Sequence, residues 1–265
     1  MNSNVLEMPK TAAGRAGDVK ISILDVQLDN LTRREVLERL EALLSSSDGP
    51  HQVSFAYANC LNKAYSDPHY RDVLNSSKLV LPDGTGIRIA SSMLGRQVRE
   101  NMCGTDIIPS FLGHINGNGA RVFLLGSKQP VVERAGEKMK GEFPSVTVCG
   151  MQHGYFDSDE AVIEKINAAR PDILLVGLGV PRQEMWIAEN LPRLKVKICC
   201  GVGALFDYYS GSMPRAPQWM LDAGMEWIYR LYCEPRRLWR RYLIGNFLFL
   251  GRVYRQLLTG NGARH

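Results

Sequence analysis

Several features that define common protein classes are absent from this sequence of 265 residues. The six cysteines form neither a CxxC pair nor a cysteine–histidine cluster, which excludes the usual zinc modules. No uninterrupted apolar run reaches the roughly 18–20 residues that a membrane span needs. The motifs GxxxxGKS and GxxxxGKT are missing, which argues against a P-loop NTPase. The motif GxGxxG is missing after the first predicted strand, which argues against a dinucleotide-dependent oxidoreductase.

Metal-binding patterns are lacking as well. No group of His, Asp and Glu residues has metal-ligand spacing, and segment 154–159 (GYFDSD) lacks the pattern of a calcium loop. We therefore expect no metal ion and no other cofactor. Residues 1–18 are polar and carry no apolar core of a signal peptide, which predicts a disordered tail on a cytoplasmic protein with reduced thiols.

Positive charge is concentrated at the C-terminal end of the chain. The formal net charge is +5, but residues 230–265 carry eight arginines, no lysine and a single acid, Glu234. That segment therefore holds +7 and the rest of the chain −2. An anionic partner is expected for it, such as a phosphate, a diphosphate or acidic lipid headgroups, whereas nucleic acid is a less favoured partner.

Short apolar segments alternate with amphipathic ones between residues 19 and 212. Strands are predicted at 19–28 (one strand or a tight pair), 52–58, 79–81, 121–125, 146–149, 172–176 and 196–200. Helices are predicted between them; the first has a capping box formed by Thr32 and Glu35. This alternation predicts an α/β fold with a mostly parallel sheet that helices cover on both faces.

Small or polar residues follow four of these strands. They are Asn59, Asp83–Gly84, Gly177–Gly179 and Gly201–Gly203. Because ligands bind at the carboxyl edge of such sheets, one crevice along that edge would collect all four groups. Asp83 is placed to take a proton from a sugar hydroxyl, although Pro-Asp-Gly is also an ordinary turn sequence in which the carboxylate bonds its own backbone.

The segment GLGVPRQE (177–184) joins a strand to a helix. Its free backbone N–H groups and the positive end of the helix dipole suit a phosphate or diphosphate, and Pro181 is predicted in the first helical turn. The glycines could equally serve only to permit the turn. Four such strand ends together favour a pocket.

The last part of the chain, 213–265, is predicted to be a helical appendage. Helices are expected at 221–232 and 236–258, and the second combines arginines with an apolar stripe of Ile244, Phe247, Leu248 and Leu250. Such a helix suits the headgroup boundary of a bilayer. The alternative is a helix that packs its stripe on the core and leaves its arginines in solvent.

Several of these motifs resemble the WecG/TagA/CpsF glycosyltransferases, glycosyltransferase family 26. The similarity covers about residues 19–243 and is carried by these segments: LVLPDGTGI (79–87), GTD (104–106), GLGVPRQEMW (177–186), GVGALFDYYSG (201–211) and RAPQWMLDAGMEWIYRLYCEPRRLWRRY (215–242). The resemblance implies a Rossmann-like core and an inverting, metal-independent enzyme. Such an enzyme moves a sugar from a UDP donor to a polyprenyl-diphosphate-linked saccharide at the inner face of a bacterial membrane, forming a β-linkage during surface polysaccharide synthesis.

The resemblance also implies roles for particular residues of the core. Asp83 matches the family's general base, and Asn59 matches a pocket residue. Tyr57 stands where many members have threonine, so a different sugar contact is expected there. Gln183 matches a glutamine beside the donor, next to Gly177, Gly179 and Gly203 in the same predicted pocket, and Asp207 fits a contact to the nucleoside. Gln183 and Asp207 also fit a plain helix-turn residue and a cap, respectively.

In the appendage the resemblance implies that three arginines, Arg230, Arg237 and Arg240, hold a diphosphate and stabilise charge on the leaving UDP. Arg230 could instead pair with Glu226, four residues earlier on the same helix. The appendage would also bring the enzyme to the membrane, or pack against a second copy of the chain in solution.

Two other functions are compatible with parts of this pattern. A catalytically silent nucleotide-binding module that docks polysaccharide enzymes to a membrane would not need Asp83, Asn59 and Gln183 together. A Rossmann-type oxidoreductase is disfavoured by the missing GxGxxG. Among donors, N-acetylmannosamine, its uronic acid and glucose all stay open, because the residues do not distinguish them.

Overall fold

The structure is a computed structural model that describes residues 20–259. The predicted disordered tail at 1–18 lies outside the described residues. Strands and helices alternate along most of this span, as the apolar periodicity predicted.

Within residues 20–259 the chain forms eight β-strands and thirteen α-helices. The strands are β1 Lys20–Ile23, β2 Val26–Asp29, β3 His51–Ala56, β4 Leu79–Pro82, β5 Arg121–Gly126, β6 Thr147–Gln152, β7 Ile173–Gly177 and β8 Ile198–Gly201. The helices of the core are α1 Arg33–Ser45, α2 Ala58–Ser66, α3 Pro68–Ser76, α4 Thr85–Met93, α5 Gly104–His114, α6 Gln129–Glu142, α7 Asp159–Ala169, α8 Arg182–Asn190 and α9 Leu205–Tyr209. The C-terminal helices are α10 Gln218–Asp222, α11 Glu226–Cys233, α12 Pro235–Trp239 and α13 Gly245–Leu258, with a π-helical turn at Arg240–Ile244 between the last two.

Six strands form a parallel sheet in the order β4-β3-β8-β7-β5-β6. The predicted first strand, 19–28, is the tight pair: β1 and β2 form a separate antiparallel sheet. Helix α1 begins at the predicted capping box, in which the Thr32 hydroxyl accepts from Glu35 N–H and the Glu35 carboxylate accepts from Thr32 N–H.

Successive side chains of a central strand belong to different buried clusters, which shows that helices cover both faces of the sheet. On β5, Val122 and Leu124 belong to one buried cluster with Phe111, whereas Phe123 and Leu125 belong to another with Trp186. Successive side chains of a strand point to opposite faces, so a run that is buried at every position needs helices on both sides. The predicted α/β fold class is confirmed.

The C-terminal helices differ in part from the prediction. The single helix expected at 221–232 is two helices, because Gly224 adopts φ +69° between α10 and α11. The helix expected at 236–258 is helical throughout, but the Gly245 N–H bonds the Arg240 carbonyl five residues back, which is a π-type turn. Pro181 precedes α8 as its N-cap residue and does not lie in its first turn.

The last helix is anchored on the core. Phe249 and Val253 are fully buried in a cluster with Leu61 and Ile87. Arg252 donates to the Asn62 carbonyl at 2.8 Å and to its side-chain oxygen at 3.0 Å. Helix α13 thus packs on the core through Phe249 and Val253 and not through the predicted stripe, of which Ile244, Phe247 and Leu248 stay exposed.

Candidate active site

The four predicted strand ends lie side by side in the structure. Strands β4, β3, β8 and β7 are consecutive neighbours in the sheet, so the residues after them share one stretch of its carboxyl edge. A cavity of about 1180 Å³ opens there, lined by core residues such as Asp83 and Asn59 and by appendage residues such as Arg230. The crevice is therefore formed jointly by the sheet edge and the C-terminal helices.

Asp83 is held at the end of β4 by bonds on each side. Its N–H donates to the Ala56 carbonyl at 2.9 Å, and Gly84 N–H donates to the Asn101 side chain at 2.6 Å. Next along the chain, the Thr85 hydroxyl donates to the Gly224 carbonyl at 2.8 Å, which ties this turn to the appendage. These bonds fix the turn to β3 and to the appendage, and Asp83 itself lines the cavity.

The electrostatic surroundings of Asp83 suit a proton acceptor. Burial raises the pKa of Asp83 to about 7, and the nearby carboxylate of Glu226 adds to this rise. A hydrogen bond from the Cys103 thiol and the positive charge of Arg230 oppose it. A general base works best when its pKa lies near the working pH, and this carboxyl meets that condition.

Cys103 and Glu226 are site residues that the sequence analysis missed. Burial raises the pKa of Cys103 well above its ordinary value, so the thiol keeps its proton and can donate to Asp83. Glu226 accepts a hydrogen bond from the Tyr208 hydroxyl at 3.1 Å, and both residues line the cavity. Cys103 lies directly before the quoted GTD motif, which was the available signal; Glu226 was considered only as a partner of Arg230.

Gln183 connects two loops at the cavity floor. Its side-chain oxygen accepts from Gly179 N–H at 3.2 Å and from Gly203 N–H at 3.0 Å. Both glycines have positive φ, +81° and +54°, which lets their N–H groups turn toward this one acceptor. Gln183 thus holds the β7 and β8 loops together, and those two N–H groups are already bonded. Its predicted role beside the donor, and that of Gly177 at the end of β7, stay predictions.

Glu184 holds the Gln183 side chain in place through a buried hydrogen bond. The Glu184 side chain is fully buried, its carboxylate accepts from the Gln183 amide at 2.7 Å, and the Tyr70 hydroxyl donates to it at 3.3 Å. Burial raises the pKa of Glu184 to about 7, although both hydrogen bonds act in the opposite direction. Glu184 fixes which way the Gln183 amide faces, because an amide nitrogen donates and an amide oxygen accepts.

Tyr57 and Asn59 line the cavity at the start of α2. Asn59 hydrogen-bonds the Tyr57 side chain, and burial raises the pKa of that phenol. Asp207 lies on the opposite side, where its carboxylate accepts from the Ser127 hydroxyl at 3.1 Å. The structure thus brings the predicted core residues to a single cavity, while their ligand contacts stay predictions.

The three predicted arginines are placed differently from one another. Arg230 and Arg237 line the cavity; Arg230 lies over the Tyr208 ring at 5.6 Å, and Arg237 pairs with Glu234. Arg240 is exposed, lies over the Trp239 ring at 5.2 Å and is not among the cavity-lining residues. Its neighbour Arg241, which the sequence analysis did not select, lines the cavity.

Residues 20–259 carry neither a candidate metal-binding cluster nor a candidate membrane-spanning helix. No cluster of three or more His, Cys, Asp or Glu side chains in this part of the chain could hold a metal ion. Among the same residues, no helix combines the length and the apolar character that crossing a bilayer requires.

The fold and the site define a class of protein: a parallel α/β fold whose crevice combines a buried carboxyl of raised pKa with arginines suited to an anionic ligand. The chain belongs to the WecG/TagA/CpsF family of glycosyl transferases, whose family model matches residues 21–263. It is a glycosyltransferase.

Curated relatives cover most of the chain. A Bacillus subtilis protein is 32% identical over 82% of this chain and 80% of its own length. A Staphylococcus aureus protein is 29% identical over 90% of this chain and 94% of its own length. Each is named as an N-acetylglucosaminyldiphosphoundecaprenol N-acetyl-beta-D-mannosaminyltransferase.

Proposed function

We propose that this protein transfers a hexose or N-acetylhexosamine, or its uronic acid, from a UDP-sugar to a polyprenyl-diphosphate-linked saccharide, with inversion, during bacterial surface polysaccharide synthesis. The observation that carries the proposal is Asp83, a carboxyl with a pKa of about 7 in a cavity that arginines of the appendage line. The names of the relatives, which specify a diphosphoundecaprenol-linked sugar as acceptor, support the acceptor class.

In the proposed mechanism Asp83 takes the proton from the acceptor hydroxyl as its oxygen attacks the anomeric carbon. A new C–O bond forms on one face of the sugar while the bond to UDP breaks on the other, which inverts the configuration to β. UDP leaves with both electrons of the broken bond. In this proposal Arg230 and Arg237, which line the cavity, stabilise the charge that develops on its phosphates.

The proposal includes transfer without a metal ion. In this mechanism the cationic groups at the cavity would balance the diphosphate charge, a task that guanidinium groups perform through paired hydrogen bonds. Transfer activity in the presence of EDTA, compared with activity after adding magnesium or manganese, tests this part of the proposal directly.

The test of the proposed function uses the full chain, a synthetic polyprenyl-diphosphate-sugar acceptor and a panel of UDP-sugars, with released UDP as the readout. Acceptor-dependent release from one donor would establish both the reaction class and the sugar. UDP binding without release from any donor would favour the catalytically silent docking module.

The rate of transfer should depend on pH through Asp83. Because only the ionised carboxylate accepts a proton, kcat/KM is expected to rise with pH and to level off above about pH 7. In Glu226→Gln the charge that raises the pKa of Asp83 is removed, so the rise should move to lower pH. Asp222→Asn changes an exposed carboxylate outside the cavity and should leave the profile in place; an unmoved profile in Glu226→Gln would contradict this assignment.

The proposal also places the protein at the inner face of the plasma membrane as a peripheral enzyme. Exposed apolar side chains along the last helices, including Ile244 (55% exposed), Phe247 (78%) and Leu248 (48%), lie beside exposed arginines such as Arg240. Apolar side chains beside cations suit the boundary between acyl chains and acidic headgroups.

Membrane binding should depend on these exposed side chains. The double variant Ile244→Ser/Leu248→Ser is expected to bind vesicles with anionic lipids about 10- to 100-fold more weakly, because each partly buried aliphatic group contributes about 1 kcal/mol or more. Flotation with such vesicles measures the loss. The melting temperature and UDP binding serve as controls, since both side chains are exposed and lie outside the cavity. Unchanged flotation would show that another surface meets the membrane.

A further inference from the structure

Arg241 has an environment that differs from those of its neighbours on the helix. It lines the cavity and its guanidinium lies 4.5 Å from the centre of the Tyr57 ring and 5.3 Å from that of Tyr242. Its Nε atom is buried, and no hydrogen-bond acceptor for that atom occurs within residues 20–259. A buried guanidinium N–H without an acceptor is costly unless a ligand supplies one.

Arg230 lines the same cavity and shares the missing acceptor. Its Nε atom is also buried without a partner among the described residues, and its guanidinium lies 5.6 Å from the centre of the Tyr208 ring, another residue of the cavity lining. Two arginines of the appendage thus line one cavity with unused donors. A diphosphate has enough oxygen acceptors to satisfy both, and its charge would balance theirs.

Arg240 and Arg241 have different surroundings because successive residues of a helix point in different directions. Arg240, which begins the π-helical turn, is exposed and lies over Trp239, whereas Arg241 is half-buried and lies over the Tyr57 ring. Rings of Tyr57 and Tyr242 restrict the Arg241 guanidinium before any ligand arrives. A cation held in place by aromatic faces loses less freedom on binding an anion than a flexible one does.

We infer that Arg241, held against Tyr57, binds a substrate diphosphate together with Arg230. This inference rests on the proposed function and adds to it a residue outside the set that the motifs selected. It also gives Tyr57 a role, because the ring at that position connects the end of β3 to the appendage. The diphosphate could belong to the nucleotide donor or to the lipid-linked acceptor, since both carry the same group.

Calorimetry on the full chain distinguishes these two sources. UDP and farnesyl diphosphate are titrated into wild type, Arg241→Gln and Arg236→Gln, with uridine as a ligand that lacks phosphate. Arg236 is an exposed residue of α12, the helix before the π-helical turn; it lies outside the cavity and carries the same charge. We expect Arg241→Gln to raise the Kd of at least one diphosphate about 10- to 100-fold and to leave that of uridine unchanged. Arg236→Gln should bind all three ligands as wild type does.

Each outcome is decisive. A rise for UDP alone assigns Arg241 to the donor, and a rise for farnesyl diphosphate alone assigns it to the acceptor. Equal losses for UDP and uridine, or no change for either diphosphate when wild type binds them, would overturn the inference and leave the proposed function standing. If wild type bound neither diphosphate, the proposed function would fail as well.

Substitutions at Tyr57 provide an independent check of the contact. Tyr57→Phe keeps the ring beside Arg241, whereas Tyr57→Thr removes it. The loss of diphosphate affinity should therefore be larger in Tyr57→Thr than in Tyr57→Phe, with uridine again as the reference ligand. The reverse order would contradict a role for the ring.

Discussion

Replacing Asp83 with asparagine is expected to lower kcat for sugar transfer by about 10²- to 10⁴-fold, the usual contribution of a positioned general base. The amide cannot accept a proton from the acceptor hydroxyl, yet it has nearly the shape of the carboxyl. The backbone bonds that hold this turn, from Asp83 N–H to Ala56 and from Gly84 N–H to Asn101, stay in place. Substrate binding should therefore change much less than turnover.

The measurement is UDP release from the active donor at saturating acceptor, compared among wild type, Asp83→Asn and Asp222→Asn. Asp222 is exposed on the appendage, where its carboxylate accepts from the Gln218 side chain at 2.8 Å. Its variant should turn over like wild type. Full turnover in Asp83→Asn at pH 7 would exclude Asp83 as the base.

Replacing Arg230 with glutamine is expected to lower kcat/KM by about 10²- to 10³-fold, the range seen when one donor to a developing negative charge is lost. Arg230 lines the cavity with a buried Nε atom, and its positive charge lowers the pKa of Asp83. Its removal therefore has two consequences: a weaker hold on the diphosphate and a higher pKa of the base.

The second consequence gives Arg230→Gln a distinct signature. Since the base must be ionised, a higher pKa moves the rise of kcat/KM to higher pH, opposite to the shift expected for Glu226→Gln. Arg236→Gln is the matched control, because it removes the same charge from an exposed position outside the cavity. A profile that shifts equally in Arg230→Gln and Arg236→Gln would indicate a general effect of net charge.

Most of the framework could be predicted from the sequence. Alternation of apolar and amphipathic segments predicted the α/β class, and small or polar residues after four strands predicted one crevice. The sheet order confirms that those strands are neighbours. This worked because the rule that parallel strands carry ligands at their carboxyl edge depends on topology more than on side-chain detail.

The side-chain roles were harder to predict. Gln183 is conspicuous in its motif, but only the structure shows that its oxygen binds the N–H groups of Gly179 and Gly203, which are far from each other in sequence. Cys103 and Glu226 affect Asp83 through space, from separate parts of the chain. Spacing along the chain carries no information about such contacts.

The sequence by itself determined the layered fold, the strand ends that meet at the crevice and the concentration of arginine in the last helices, because these follow from local periodicity and composition. Tertiary structure decided which arginines face the cavity: packing of the appendage on the core leaves Arg240 exposed and brings Arg241 against Tyr57. It also decided the pKa of Asp83. Burial and the approach of Glu226, Cys103 and Arg230 from other parts of the chain set that pKa, and the contributions of Glu226 and Arg230 exist only once the appendage is packed on the core.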